Sequence, residues 1–186
     1  MWVVVGLGNP GAAYADTRHN VGFMVIESLA RRWGAVLHAD GASSRTANVE
    51  RGGTTVQLVQ PQTYMNRSAE ALDGLRPGDT VIAVYDDLDL PIGQIRIRAG
   101  GGTGGHRGVA SLVERLGSEF PRVRVGIGRP PRGVSSPDYV LASVTPLEQP
   151  QLEAAVARAG DAIECILSEG VVVAMNRFNA KPAELV

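Results

Sequence analysis

Short apolar runs and helical stripes alternate along the chain. Trp2-Val3-Val4-Val5 is apolar, rich in β-branched residues and closed by Gly6, which predicts a buried strand. A polar stretch from Gly8 to Asn20 follows. Val21, Met24, Val25, Ile26, Leu29 and Ala30 then recur at helical spacing and predict a helix over 21–33. Thr46 to Gln60 is strand-like and broken by Gly52-Gly53, the pattern of a hairpin. A short helix fits Ser68 to Leu75, closed by Pro77-Gly78, and Thr80 to Tyr85 is a second buried strand. Gly93 to Ala99 alternates with Ile95 and Ile97 on one face, Gly100 to Gly108 is a glycine-rich loop, and Val109 to Leu116 reads as a helix. Arg122 to Gly128 is a strand with Val123, Val125 and Ile127 inward. A long helix from near Pro150 carries the stripe Leu152, Ala155, Val156, Ala159, Ile163, Ile166 and Leu167, with Gly170 at its end. Interleaved strands and helices predict an α/β fold: a single domain over 1–186 with a twisted, mixed and mostly parallel sheet flanked by helices.

Composition narrows the class without naming a function. The 186 residues are 44% hydrophobic and 20% charged, so the chain can bury a full core and is not disordered. No apolar run approaches the roughly 20 residues of a membrane span. The N-terminus lacks the basic and apolar regions of a signal peptide. Cys165 is the only cysteine, which excludes an internal disulfide and a cysteine-built metal site. A cytoplasmic protein, soluble and without a membrane partner, is expected. Net charge is −1, so bulk charge does not mark a nucleic-acid binder, but Leu90 to Arg132 holds eight arginines against only Glu114 and Glu119. Such a stripe either binds a polyanion or is a solvated face.

Gly6-Leu7-Gly8-Asn9-Pro10-Gly11 follows the first strand and matches the dinucleotide fingerprint G-x-G-x-x-G. The fingerprint also needs a helix directly after the glycines and an acid about 20 residues on. Ala12 to Asn20 has no helical period, and Asp40 is too distant. A tight turn accounts for the glycines, though not for Asn9 or for Tyr14-Ala15-Asp16-Thr17-Arg18-His19-Asn20.

These same residues resemble the opening of bacterial-type peptidyl-tRNA hydrolases. Pro61-Gln62-Thr63-Tyr64-Met65-Asn66, Asp86-Asp87-Leu88-Asp89-Leu90-Pro91 with Gly93, Gly101-Gly102-Thr103-Gly104-Gly105-His106 and Arg124-Val125-Gly126-Ile127-Gly128-Arg129-Pro130 extend the resemblance in family order over nearly the whole chain. It implies a single α/β domain that cleaves the ester between a peptide and the 3′-terminal ribose of tRNA, with tRNA as partner and with neither metal nor organic cofactor. A monomer is expected.

Ester hydrolysis needs an activated water and a donor for the developing oxyanion. Histidine is the natural base at neutral pH. His38 has no polar company in sequence, and His106 lies in the glycine loop. The resemblance gives the base to His19 and its carboxylate partner to Asp86, just past the strand 81–85. Asn9 and Asn66 match the family's site amides, with a turn residue and a helix N-cap as their plainer alternatives. Tyr14 and Met65 fall at positions lining the site, where Met65 is equally a packing residue. Arg98 and Arg124 fall at the clamp for the tRNA 5′-phosphate. Arg107 stands where the family has a further site asparagine. It is expected to reach the groove for the tRNA 3′ end and meet phosphate, unless it pairs with an acid such as Glu114. Tyr85, Gln60, Arg67 and Ala69 also depart from the family pattern. Two rival functions stay open: a non-catalytic RNA-binding module on the same fold, like the family's organellar splicing relatives, and a dinucleotide-binding protein.

Overall fold

The computed structural model describes residues 1–180. Seven strands form one sheet in the order β2-β3-β4-β1-β5-β7-β6. They are β1 (Trp2–Gly6), β2 (His38–Asp40), β3 (Ser44–Arg51), β4 (Thr54–Pro61), β5 (Thr80–Asp87), β6 (Ile95–Arg98) and β7 (Arg122–Gly126). The four central strands β4, β1, β5 and β7 run parallel, while β2, β3 and β6 are antiparallel to their neighbours. The sheet is therefore mixed, with its parallel pairs at the centre. The one-domain expectation reaches into 181–186, which lie outside the described residues.

Strand alternation feeds two cores. Val4, Ile82, Val84, Val123 and Val125 face α1 (Val21–Arg32), α4 (Gln149–Glu169) and α5 (Val171–Phe178). Val3, Val5, Val81, Ala83 and Tyr85 face the 3₁₀ helix Met65–Leu72 and α2 (Arg107–Leu116). Successive strand residues point to opposite faces, so the near-continuous valine runs are what a sheet covered on both sides requires.

Several boundaries move for local reasons. Gly52 and Gly53, with φ of 55° and 76°, turn the β3–β4 hairpin, whose strands extend to Ser44 and Pro61. Positive φ at both central residues matches the twist of paired strands. The helix expected over 68–75 is instead the 3₁₀ helix Met65–Leu72, kinked at Arg67. The helix expected from Val109 begins at Arg107, because the His106 side chain accepts from the Gly108 and Val109 N–H groups and caps it. Strand β2 and the short helix α3 (Ser136–Val140) have no clear apolar period and lie outside the expected elements, as does α5, although its Val171, Ala174, Met175 and Phe178 stand at helical spacing.

The first motif forms no dinucleotide site. The chain leaves β1 into two 3₁₀ turns, Ala12–Tyr14 and Arg18–Asn20, with no α-helix directly after the glycines. The glycines serve a close crossing. A Cβ on Gly6 would lie 2.2 Å from the Gly22 carbonyl oxygen, and one on Gly22 would lie 2.4–2.5 Å from backbone atoms of Leu7 and Val84. The first turn of α1 thus rests directly on the ends of β1 and β5.

At the far rim, Asn179 closes the free edge of β6. Its Oδ1 accepts from Ile97 N at 2.7 Å and its Nδ2 donates to Ile97 O at 2.9 Å.

Gly22→Ala forces backbone apart at that crossing. Overpacking of this kind costs about 1–3 kcal/mol, and each kcal/mol shifts the midpoint of a chain this size by about 2–4 °C. Thermal unfolding followed by circular dichroism should show a midpoint lowered by roughly 2–12 °C on these scales.

Candidate active site

Strands β1 and β5 run parallel, with Gly6 opposite Val84, so their carboxyl ends open on the same side. The chain leaves β1 towards β4 and reaches β5 on its other flank, which makes this a topological switch point, the usual place for a site in an open α/β sheet. A cleft of about 690 Å³ lies there.

Asp86, next to last in β5, is buried at its floor, with its side chain only 2% exposed. His19 Nδ1 lies 2.9 and 3.0 Å from its two oxygens, and His106 Nε2 lies 2.8 Å from Oδ1. The tautomers follow from the partners. His106 Nδ1 accepts from the N–H groups of Gly108 and Val109, so its proton sits on Nε2 and is donated to Asp86. His19 likewise donates from Nδ1, which leaves Nε2 as a lone-pair nitrogen. Burial alone would raise the Asp86 carboxyl. The two imidazoles, by the charge they carry when protonated and by the hydrogen bonds they donate, outweigh burial and hold it well below the ordinary carboxylate range.

Asn20 grips the backbone of Asn9 from both sides, accepting from its N–H and donating to its carbonyl, each at 2.9 Å. Asn9 Oδ1 accepts from Met65 N at 3.0 Å, so the remaining Nδ2 is a donor. Asn9, Tyr14, Met65 and Asn66 all line the cleft. Asn66 is exposed and is not a cap, because the 3₁₀ helix begins one residue earlier with Tyr64 before it. Met65 does both things foreseen for it: it lines the cleft, and it packs so closely on α2 that a Cβ on Gly108 would lie 2.6 Å from its sulfur. His38 is exposed on β2, away from these groups.

A family model described as peptidyl-tRNA hydrolase matches residues 3–185. The chain belongs to the peptidyl-tRNA hydrolase family. It is 49% identical to the peptidyl-tRNA hydrolase of Roseiflexus castenholzii over 98% of this chain and 88% of that one. With the Bacillus subtilis enzyme it shares 47% identity over 97% of this chain and 100% of that one. The crystal structure of peptidyl-tRNA hydrolase from Acinetobacter baumannii superimposes with a TM-score of 0.87 at 35% identity, over 97% of this chain and 95% of that one.

In this member of the peptidyl-tRNA hydrolase family the arginine-rich segment is less free than its sequence suggests. Arg115 pairs with Asp73, Arg129 with Asp89 and Arg124 with Asp87, all acids from outside the segment. Arg122 is buried. Its guanidinium donates to the carbonyls of Gly101, Gly102 and Ser118 and lies over the Phe120 ring, which fastens the glycine loop to the sheet. Arg98 and Arg107 are exposed, line the cleft, and have no acidic partner among the described residues. Arg107 is not paired with Glu114.

The sequence reading missed four contributors: His106, Asn20, Arg18 and Arg122. No capping rule marks His106, since histidine is not a usual capping residue and the apolar run begins only at Val109. Nothing local pointed from it to Asp86.

Because the Asp86 carboxyl is depressed in the folded state, the stability it contributes is present above the ordinary carboxylate pKa near 3.9 and is lost as pH falls through the lower folded value. Asp86→Asn should unfold at lower urea than wild type at pH 6, and the gap should narrow as pH drops below about 4.

Proposed function

We propose that this chain hydrolyses the ester joining a peptide, or an N-blocked amino acid, to the 3′-terminal ribose of tRNA. The observation that carries this reading is the His19 imidazole, held through Nδ1 by a buried carboxylate, beside the Asn9 amide in a cleft edged by the exposed Arg98 and Arg107. Nε2 of His19 takes a proton as water attacks the ester carbonyl. The carbonyl oxygen becomes an oxyanion and accepts from Asn9 Nδ2, with Asn66 as the second amide at the site. One such donor is worth roughly 2.7–4 kcal/mol. Collapse breaks the bond to the ribose oxygen, and the His19 imidazolium returns its proton to that leaving oxygen. Asp86 holds the tautomer and stabilises the imidazolium between the two transfers. His106 holds Asp86 from the other side, so the carboxylate keeps its aim.

His19, Asp86 and His106 place three ligand-type atoms within 4.8 Å of one another. They are spoken for as donors and acceptor: His106 Nε2 has no lone pair to offer while Nδ1 caps α2. The site therefore works without a metal, and the chemistry needs no organic cofactor. Tyr14 and Met65 wall the peptide end. Arg98 and Arg124 meet the tRNA 5′-phosphate, Arg124 exchanging its Asp87 partner for it, and Arg107 meets a phosphate near the 3′ end. No described helix is long and apolar enough to cross a membrane. A cytoplasmic monomer acting on tRNA released from translation fits these features. The reading as a non-catalytic RNA-binding module is not favoured, because it leaves the His19–Asp86 pair without a purpose.

His19→Ala should lower kcat about 10²–10⁴-fold with tRNA affinity nearly unchanged. Single-turnover hydrolysis and filter binding read the two quantities separately, and wild-type turnover by the variant would remove His19 as base. Chelators should leave activity unchanged.

Arg107→Ala should raise KM and reduce the log–log salt slope of binding by about one, as loss of one phosphate contact does. Arg107→Asn should keep kcat within about threefold, since the reacting groups stay in place. A collapse of kcat at unchanged KM would put Arg107 among the catalytic groups instead.

A further inference from the structure

The histidine turn is fastened from outside the cleft. Arg18 precedes His19, and its side chain is buried, 7% exposed, beneath residues 139–148. Nη1 donates to the carbonyls of Tyr139 and Ala142, both at 3.3 Å, and Nη2 meets Glu148 Oε2 at 2.6 Å. Its Cζ lies 4.3 Å from the centre of the Tyr139 ring. The backbone repeats the connection. Arg18 N donates to Ala142 O at 3.2 Å, Val144 N donates to Asp16 O at 2.9 Å, and Thr17 pairs with Ser143 in an antiparallel bridge.

The held segment is itself anchored and is itself part of the site. Tyr139 Oη donates to Ile127 O at 2.6 Å, just past β7. Glu148 accepts from Thr145 N and Oγ1, both at 2.8 Å, which presents its carboxylate to Arg18. Ser136, Pro137, Val140 and Leu141 of the same segment line the catalytic cleft. Glu148 does not.

Arg18 and His19 are neighbours in a 3₁₀ turn. With three residues per turn, successive side chains leave the axis about 120° apart, so fixing one sets the direction of the next. A rotation of the turn that freed Arg18 would swing the imidazole off Asp86. An arginine suits this role because its planar fork can hold two carbonyls and a carboxylate at once.

We propose that Arg18 is a positioning residue, which ties the cleft wall at 136–148 to the His19 turn so that the seating of the wall and the aim of the base are set together. The proposal rests on His19 being the base.

Two variants test it in the full chain. Arg18→Lys keeps the charge and loses the fork. Glu148→Gln keeps the shape, loses the charge and lies outside the cleft. Steady-state kinetics on an N-blocked aminoacyl-tRNA are measured beside the ¹⁵N-resolved ring resonances of His19, including the Nδ1–H proton shared with Asp86, with folding checked by circular dichroism. Because a displacement of about 1 Å costs on the order of 10²-fold, kcat should fall about tenfold or more in Arg18→Lys and about threefold or more in Glu148→Gln, with KM within about twofold. The His19 Nδ1–H resonance should move in both. A folded variant that lowers only the melting temperature, with kcat or the His19 resonance at its wild-type value, overturns the proposal. If Arg18→Lys does not fold, Glu148→Gln decides alone. If wild-type protein hydrolyses nothing, the hydrolase reading fails, while the His19 resonance in the variants still decides the coupling.

Discussion

A carboxylate buried at the end of a central strand governs this structure. Asp86 is removed from water, which is costly for a charge unless its oxygens are filled. Two imidazoles fill them, and each brings a different part of the chain. His19 arrives from the turn after β1, and His106 from the glycine loop before α2. The second histidine then spends its other nitrogen on the first N–H groups of α2. One charge therefore sets the aim of a base, the start of a helix and the path of a loop. The glycine crossing at Gly6 and Gly22 lets the first of these parts come close enough, and the Arg122 staple on the loop carbonyls holds the second.

The sequence carried the frame of the fold well. The apolar, mostly β-branched runs at 3–5 and 81–84 read as strands covered on both faces, and the 152–167 stripe as a helix on one of them. What escaped were elements made by contact. Strand β2 is three exposed residues paired to β3, and α3 is five residues tied through Arg18 to the histidine turn, so neither has an apolar period of its own. Likewise His19, Asp86, Asn9 and Asn66 stood out through their motifs. His106, Asn20 and Arg18 act through partners 11 to 130 residues away, and no spacing rule reaches that far.

The arginine stripe shows the same limit in electrostatic form. A run of eight cations against two acids looked like a polyanion surface, yet the fold brings Asp73, Asp87 and Asp89 to meet three of them and buries a fourth under the glycine loop. Four remain, Arg96, Arg98, Arg107 and Arg132, and of these Arg98 and Arg107 line the cleft.

The Asn179 amide at the rim has a consequence for the chain in a crowded solution. An unpaired outer strand offers its N–H and C=O groups as a template on which another molecule's strand can grow. On β6 the Ile97 groups are already taken by a side chain that imitates one residue of a neighbouring strand. At the opposite rim β2 is only three residues long and covers β3 only from Ser44 to Thr46. The two rims are thus unequal: the β6 edge is blocked at Ile97 by the chain's own amide, while among the described residues the β3 edge from Ala47 to Arg51 has no strand beside it and is guarded by the charges of Glu50 and Arg51.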